Sequence, residues 1–313
     1  MCIRPSSGRT VWGARPVSEG VPTVTGMRFG FVSSFGTPVQ HVELARACEE
    51  HGWDGFFTWD GVSLGELGEG AVATWDPFGI LAAAAAVTER VTLGAMVFAL
   101  PRHRPWELAQ RALTVDHLSG GRLVLPVGVG VTDDRGFSSV PGQPLALRDR
   151  AAALDETLAW LERSWTGEPF AAEGEHVRTG EFQFPQRPVA GRIPVWPVGV
   201  WDAARPPVAN LRRALRWDGV VPQLRGTAEV PGPDDVEGLV AWIEAERSRQ
   251  DDAGRPFDVV VQGRLPDDGT AAAELVAALR EAGATWWVES RWDPAEATPE
   301  SLLARVRQGP PAS

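Results

Sequence analysis

Few residues of this chain suit proton chemistry: five histidines, and the carboxylates that close short apolar runs. His103, in LPRHRP, directly follows such a run, whereas His41, His51 and His117 fall on helical patterns and His176 in a turn-rich stretch. No two of them stand at the spacing by which imidazoles converge on one ion, so no catalytic metal is expected. Asp60, after GFFTW, and Glu289, in TWWVES, offer carboxylates of the kind general acid–base catalysis uses. His103, Asp60 and Glu289 are therefore the candidate catalytic residues. Glycosidase chemistry is not favoured, because a chain with 41 Asp and Glu supplies carboxylate pairs by chance. Three of the 14 tryptophans, Trp59, Trp201 and Trp292, also close apolar runs. Flat aromatic walls at such places suit a planar, conjugated ligand better than a sugar phosphate.

What is missing narrows the chemistry further. The chain has no Lys, no Tyr and a single Asn, Asn210, and all of its 30 basic residues are Arg. The missing types have AT-rich codons, so a GC-rich genome accounts for the bias. Without a Lys amine, Schiff-base aldolase and pyridoxal phosphate chemistry are excluded, and without Tyr so is a phenolic acid. A net charge of −11 and a pI near 5.0 argue against a nucleic-acid partner, whose phosphates need basic neutralisation. Cys2 and Cys48 form no CxxC motif, and Cys48, on a helical pattern, reads as a small core residue. No apolar run approaches the ~18 residues that span a bilayer. Residues 1–26 lack the apolar centre of a signal peptide and read as a disordered extension or the product of an upstream start codon. A cytoplasmic location, without membrane contact, is the resulting expectation.

These candidates need a scaffold, and the chain supplies a repeating one. Apolar, β-branched or aromatic runs occur at 28–33, 54–59, 91–98, 122–128, 193–199, 218–223, 257–263 and 284–290. Helical spacing follows each, at 38–51, 76–88, 105–119, 146–165, 207–216, 234–249, 270–282 and 298–307. Eight strand–helix units predict an α/β fold, the (β/α)8 TIM barrel, as one domain over 27–313, with an open doubly wound sheet as the alternative. The segment 131–192 exceeds an ordinary loop and reads as an insertion after strand four, containing a hairpin in EPFAAEGEHVRTGEFQF and placed to cover a ligand. On a barrel, function gathers at the C-terminal strand ends. That gathers Ser33, Ser34, Trp59, Asp60, the 98–104 loop, 128–134, 199–205, Pro222, Gln223, 262–264 and 289–292 at one mouth. Arg102, Arg104, Arg205, Arg264 and Arg291 stand there as possible partners of a phosphate.

The stretch HLSGGRLVLPVGVG, 117–130, fails as a dinucleotide loop: Asp133 stands where the third glycine belongs, and TDDRGFSSVPGQP follows in place of a helix. In combination with WDPFGILAAAAAVTERVTLGAMVF and LPRHRPWELAQRALTVD it resembles the luciferase-like flavin-dependent oxidoreductases, over roughly residues 27–225. The likeness runs on through GWDGFFTWD, LDETLAWLERSWTGEP and RRALRWDGVVP.

That resemblance implies a TIM barrel, usually dimeric, binding reduced FMN or the deazaflavin coenzyme F420 at its mouth and acting on a small-molecule substrate. It implies that Ala95, Met96 and Val97 lie against the cofactor ring, that Gly128 and Gly130 form the strand-four turn, and that Gly199, Val200 and Trp201 belong to the phosphate-side loop. Ser33, Trp59 and Trp292 are expected to line the substrate pocket. The chain departs from the family where Gly61 replaces the His that often follows Asp60, and where Val200 replaces a second glycine. His103 or Glu289 is the expected substitute for the missing acid–base group. The first expectation is a monooxygenase using reduced FMN and oxygen, served by a separate flavin reductase. An F420-type dehydrogenase is the alternative, and a non-catalytic flavin-binding barrel the third reading.

Overall fold

The computed structural model describes residues 26–205, 209–249 and 254–311. The expected extension, residues 1–26, lies outside them except for Gly26. Strands β1 (Arg28–Val32), β2 (Gly55–Thr58), β3 (Thr92–Ala95), β4 (Phe98–Ala99) and β5 (Leu125–Gly128) form the first half of the barrel. An antiparallel hairpin, β6 (Phe170–Glu173) and β7 (Arg178–Phe182), precedes β8 (Val195–Trp201), β9 (Gly219–Leu224), β10 (Asp258–Gly263) and β11 (Trp286–Glu289). The helices are α1 (Pro38–Glu50), α2 (Pro77–Val87), α3 (Pro105–Ser119), α4 (Arg135–Ser138) and α5 (Leu147–Ser164). They continue with α6 (Ala209–Ala214), α7 (Pro233–Ser248), α8 (Gly269–Glu281) and α9 (Pro299–Arg307).

The main sheet runs β3-β2-β1-β11-β10-β9-β8-β5-β4, with every pairing parallel. β3 and β4 are two pieces of the third predicted strand, parted at Met96–Val97, whose peptide bond is cis. A further bridge joins Leu93 to Leu123, so the two ends of the sheet meet and the fold is a (β/α)8 TIM barrel. Helix starts follow the sequence signals: Pro opens α1, α2, α3, α7 and α9, and Asp76 and Asp268 cap α2 and α8 through their side chains.

Two apolar layers hold the barrel. One lies between strands and helices and includes Phe31, Phe56, Leu93, Leu125, Val195, Val261 and Trp287. The other fills the interior with Val32, Phe57, Met96, Val124, Trp196, Val221, Val260, Trp286 and Val288. Phe57, Trp196 and Trp286 meet there with ring centroids 5.5–6.2 Å apart. Three rings fit because the facing strands carry glycine: a Cβ on Gly30 or Gly55 would come within 2.7 Å of Phe57, and one on Gly219 within 2.7 Å of Trp196. Burying each indole is worth about 4–6 kcal/mol at ~25 cal/mol per Å².

The 117–130 stretch is the end of α3 and barrel strand four. Gly120 (φ 68°) closes the helix in the left-handed region, and Gly121 (φ 89°) turns the chain back. Arg122 then donates to the carbonyls of Thr88, Val91 and Ser119, tying α2 and β3 to this turn. The hairpin of the insertion is anchored in the helix layer: Trp160 of α5 packs on Phe170, Phe182 and Phe184, and Trp106 of α3 stacks on Phe182. The preceding segment is tied to the loop after β2, where Asp134 accepts from the amides of Val62 and Ser63 and from that of Gly136. The hairpin turn brings His176, Val177 and Arg178 to a cavity bordered by Arg102 and His103.

Candidate active site

Strand alternation decides which of the expected residues reach the mouth. Met96 and, half-buried, Val97 and Val198 face the barrel interior. Gly128 lies between the latter two, where a Cβ would come within 3.0 Å of Val97 and 3.5 Å of Val198. The result is an apolar strip without a side chain at its centre, which fits the face of a planar ring. Ser34 follows the end of β1, and its buried Oγ has no hydrogen-bond partner. A polar atom of that kind is costly unless a bound molecule satisfies it, so it too fits a heteroaromatic cofactor at this place.

Beside the strip stands a charged cluster. Asp60 Oδ2 accepts from His103 Nε2 at 2.8 Å and from the Ala99 amide at 2.9 Å, while Oδ1 is bound by Arg102. Arg102 also lies 3.5 Å from Asp134. Burial pushes the Asp60 carboxyl up, but the His103 hydrogen bond and charge, the Arg102 charge and the Ala99 amide outweigh it and hold it below its ordinary value. Because an ionised carboxylate only accepts, Nε2 of His103 donates to Asp60. Two candidate catalytic residues thus meet, and Arg102 is consumed by their neighbourhood instead of facing an anionic ligand.

Trp59 and Trp292 also come together, edge to face at 6.1 Å, with Phe35 completing the group at 6.5 Å from Trp292. Trp59 donates its indole N–H to the Ser34 carbonyl, and Trp292 borders a cavity of about 610 Å³ at the ends of β9, β10 and β11. In the ring of strands this cavity lies across from β2 and β4, which carry Asp60 and its partners.

Five expected site residues face elsewhere. Glu289 follows the inward Val288 and so points outward, fully buried, accepting from the Leu265 amide and paired with Arg291 at 3.2 Å and Arg305 at 3.9 Å. It is a structural junction of β11 with the helix layer. Trp201 likewise turns outward, packed where a Cβ on Gly238 of α7 would touch its ring at 3.2 Å. Ser33 turns to α1, sharing a 2.6 Å hydrogen bond with His41 Nδ1. The bare Cα of Gly199 faces Leu211 and Val220, making room for α6, while Val200 alternates inward with Trp196 and Val198. Ala95 is buried in the strand–helix layer beneath the strip. Gly130 (φ 70°) makes the turn after β5 and gives way to the Phe137 ring. Sequence reading missed Phe35 and the link from Arg102 to Asp134.

A TIM barrel hosts many unrelated chemistries, and the comparisons narrow the class. The chain belongs to the luciferase-like monooxygenase family, whose model matches residues 25–301. It is 32% identical over 252 residues to the F420-dependent glucose-6-phosphate dehydrogenase of Nakamurella multipartita, covering 72% of this chain and 71% of that protein. It is 31% identical over 220 residues to the 4-hydroxyprotoasukamycin monooxygenase of Streptomyces nodosus subsp. asukaensis, covering 69% of this chain and 55% of that protein. In fold it matches the coenzyme F420-dependent tetrahydromethanopterin reductase of Methanopyrus kandleri, with a TM-score of 0.66, 18% identity, and 90% and 98% of the two chains covered. Among the described residues no helix is long and apolar enough to cross a membrane, and no group of three or more His, Cys, Asp or Glu stands ready to hold a metal.

Proposed function

We propose that this oxidoreductase is a monooxygenase that uses reduced FMN and molecular oxygen on a small organic substrate. Position 61 carries the reading. A Cβ on Gly61 would lie 2.6 Å from the Trp59 ring and 2.9 Å from Leu64, so an imidazole where the family often has one would have to displace Trp59. Hydride exchange with an alcohol or carbonyl needs a proton-transfer group beside the ring, and the histidine that does stand there, His103, is engaged by Asp60 through Nε2. Oxygen chemistry needs a dry face and an adjoining cavity. When bound, reduced FMN would supply the electrons that activate oxygen. Met96, Val97, Gly128 and Val198 would seat its ring and exclude water, Ser34 would hydrogen-bond its polar edge, and Trp59 and Trp292 would wall the substrate side. A separate reductase supplies the reduced flavin, and the chain works as a homodimer, which sedimentation checks.

A second reading, an F420-type dehydrogenase, is favoured by the name of the Nakamurella relative. His103, oriented by Asp60, is then the base. Anaerobic titration with reduced FMN and, separately, reduced F420, followed by Trp fluorescence, tests both. Tight binding of FMN alone, with oxygen uptake on substrate addition, supports the first reading. Tight binding of F420 alone overturns it in favour of the second, and binding of neither leaves a non-catalytic barrel.

A further inference from the structure

The cavity at the ends of β9, β10 and β11 has a distinctive charge pattern. Arg264 and Arg291 are the cations lining it, and both are spoken for. Arg264 binds Glu296 at 2.5 Å and Asp267 at 3.1 Å, and Arg291 binds Glu289 at 3.2 Å and Asp267 at 3.8 Å. With Arg305 on Glu289, three guanidinium groups and three carboxylates form one balanced cluster. The other charged lining residues, Glu229 and Asp293, are acidic and exposed at the rim.

A phosphate or carboxylate entering this space therefore meets only arginines already paired with carboxylates, and passes two further carboxylates. A cation gains little from those two, because solvent screens exposed rim charges, and it would lose hydration deeper in. The rest of the lining is uncharged. Buried Val221 and exposed Val230 and Trp292 give apolar surface, while Ser290 and Gln262 below, and Gln223 at the exposed edge, bring donors and acceptors. Among the described residues the amides of Gln223 and Gln262 make no side-chain hydrogen bond, so their polarity is free for a ligand.

We infer that the substrate is an uncharged, ring-sized organic molecule bearing a hydroxyl or carbonyl, held between Trp292 and the Gln223–Gln262–Ser290 edge. The inference rests on the proposed function only in taking this mouth as the reactive site. It separates the chain from its Nakamurella relative, whose name specifies an anionic sugar phosphate.

The test is calorimetry of the purified full chain with three matched probes at neutral pH: 2-naphthol, 2-naphthoate and 2-naphthylmethylammonium, with glucose 6-phosphate as a fourth. The naphthol is expected to bind at least about tenfold more tightly than either ion, the worth of ~1.4 kcal/mol. Gln262→Leu should weaken the naphthol about tenfold, and Gln262→Arg, which adds an uncommitted cation, should raise naphthoate affinity. Preference of the wild-type chain for naphthoate or glucose 6-phosphate, or for the ammonium probe, overturns the inference whatever the variants do. The probe series reads the cavity without cofactor, so a failed flavin titration with naphthol selectivity intact sinks the cofactor reading alone.

Discussion

His41 offers the sharpest physical test of the site's scaffold. It is 2% exposed on α1, shares its Nδ1 with Ser33 Oγ, and is pulled by burial from 6.5 to about 4. Between those values the unfolded chain binds a proton that the folded chain refuses. Its contribution to stability is therefore complete above pH 6.5 and is lost as the pH falls toward 4. A difference of roughly 2.5 units, at ~1.4 kcal/mol per unit, makes the loss about 3 kcal/mol. Urea unfolding of the wild type and of His41→Gln between about pH 7 and about pH 4.5 isolates it, because the carboxylates titrate equally in both. The wild type should lose about 2.5 kcal/mol more than the variant over that range, and proton NMR should show one imidazole titrating near pH 4. An imidazole at position 41 that titrates near 6.5, with parallel stability curves, would refute the reasoning. The consequence reaches the mouth, because Ser33 precedes Ser34. Mild acid should weaken cofactor binding before it unfolds the chain.

Three further perturbations separate chemistry from scaffold. Glu289→Gln removes the charge that Arg291 and Arg305 share, so it should cost about 3–5 kcal/mol in thermal or urea melts while the folded fraction keeps its turnover. Loss of turnover at full stability would restore Glu289 as a catalytic residue. Asp60→Asn leaves Arg102 facing Asp134 alone and loses an acceptor for His103 or Ala99, so both stability, by a similar ~3–5 kcal/mol, and cofactor affinity should fall. Unchanged affinity in the titration would detach the cluster from the cofactor site. Gly61→His should displace Trp59 and weaken binding of aromatic probes without creating alcohol dehydrogenase activity. A gain of F420-dependent turnover in that variant would show the position to be open after all.

The eight strand–helix units were legible because each strand is apolar and each helix carries its own start and stop signals, as Asp76-Pro77 and Gly120 illustrate. Which strand-end residues face the mouth was harder to read, and the reason is physical. In an antiparallel sheet with one wet face, polarity alternates and announces its direction, but a barrel strand is apolar on both faces. TWWVES therefore gives no sign that Trp286 and Val288 fill the interior while Trp287 and Glu289 meet helices. Asp60 and His103 escaped this ambiguity by lying in loops, where they reach each other across 43 residues. Ser33, Ala95, Gly199, Trp201 and Glu289 did not, and each lies one step out of phase with an inward neighbour. The phase was nonetheless written in the small residues. Gly30, Gly55, Gly94 and Gly219 share the inward face of their strands, because three large rings occupy that space and leave no volume for a Cβ. Counting by twos from those glycines reaches Ser34, Trp59, Met96 and Gln223. The glycines opposite the interior rings thus share the phase of the residues assigned to the mouth, whereas Gly199 and Gly263 face the helix layer.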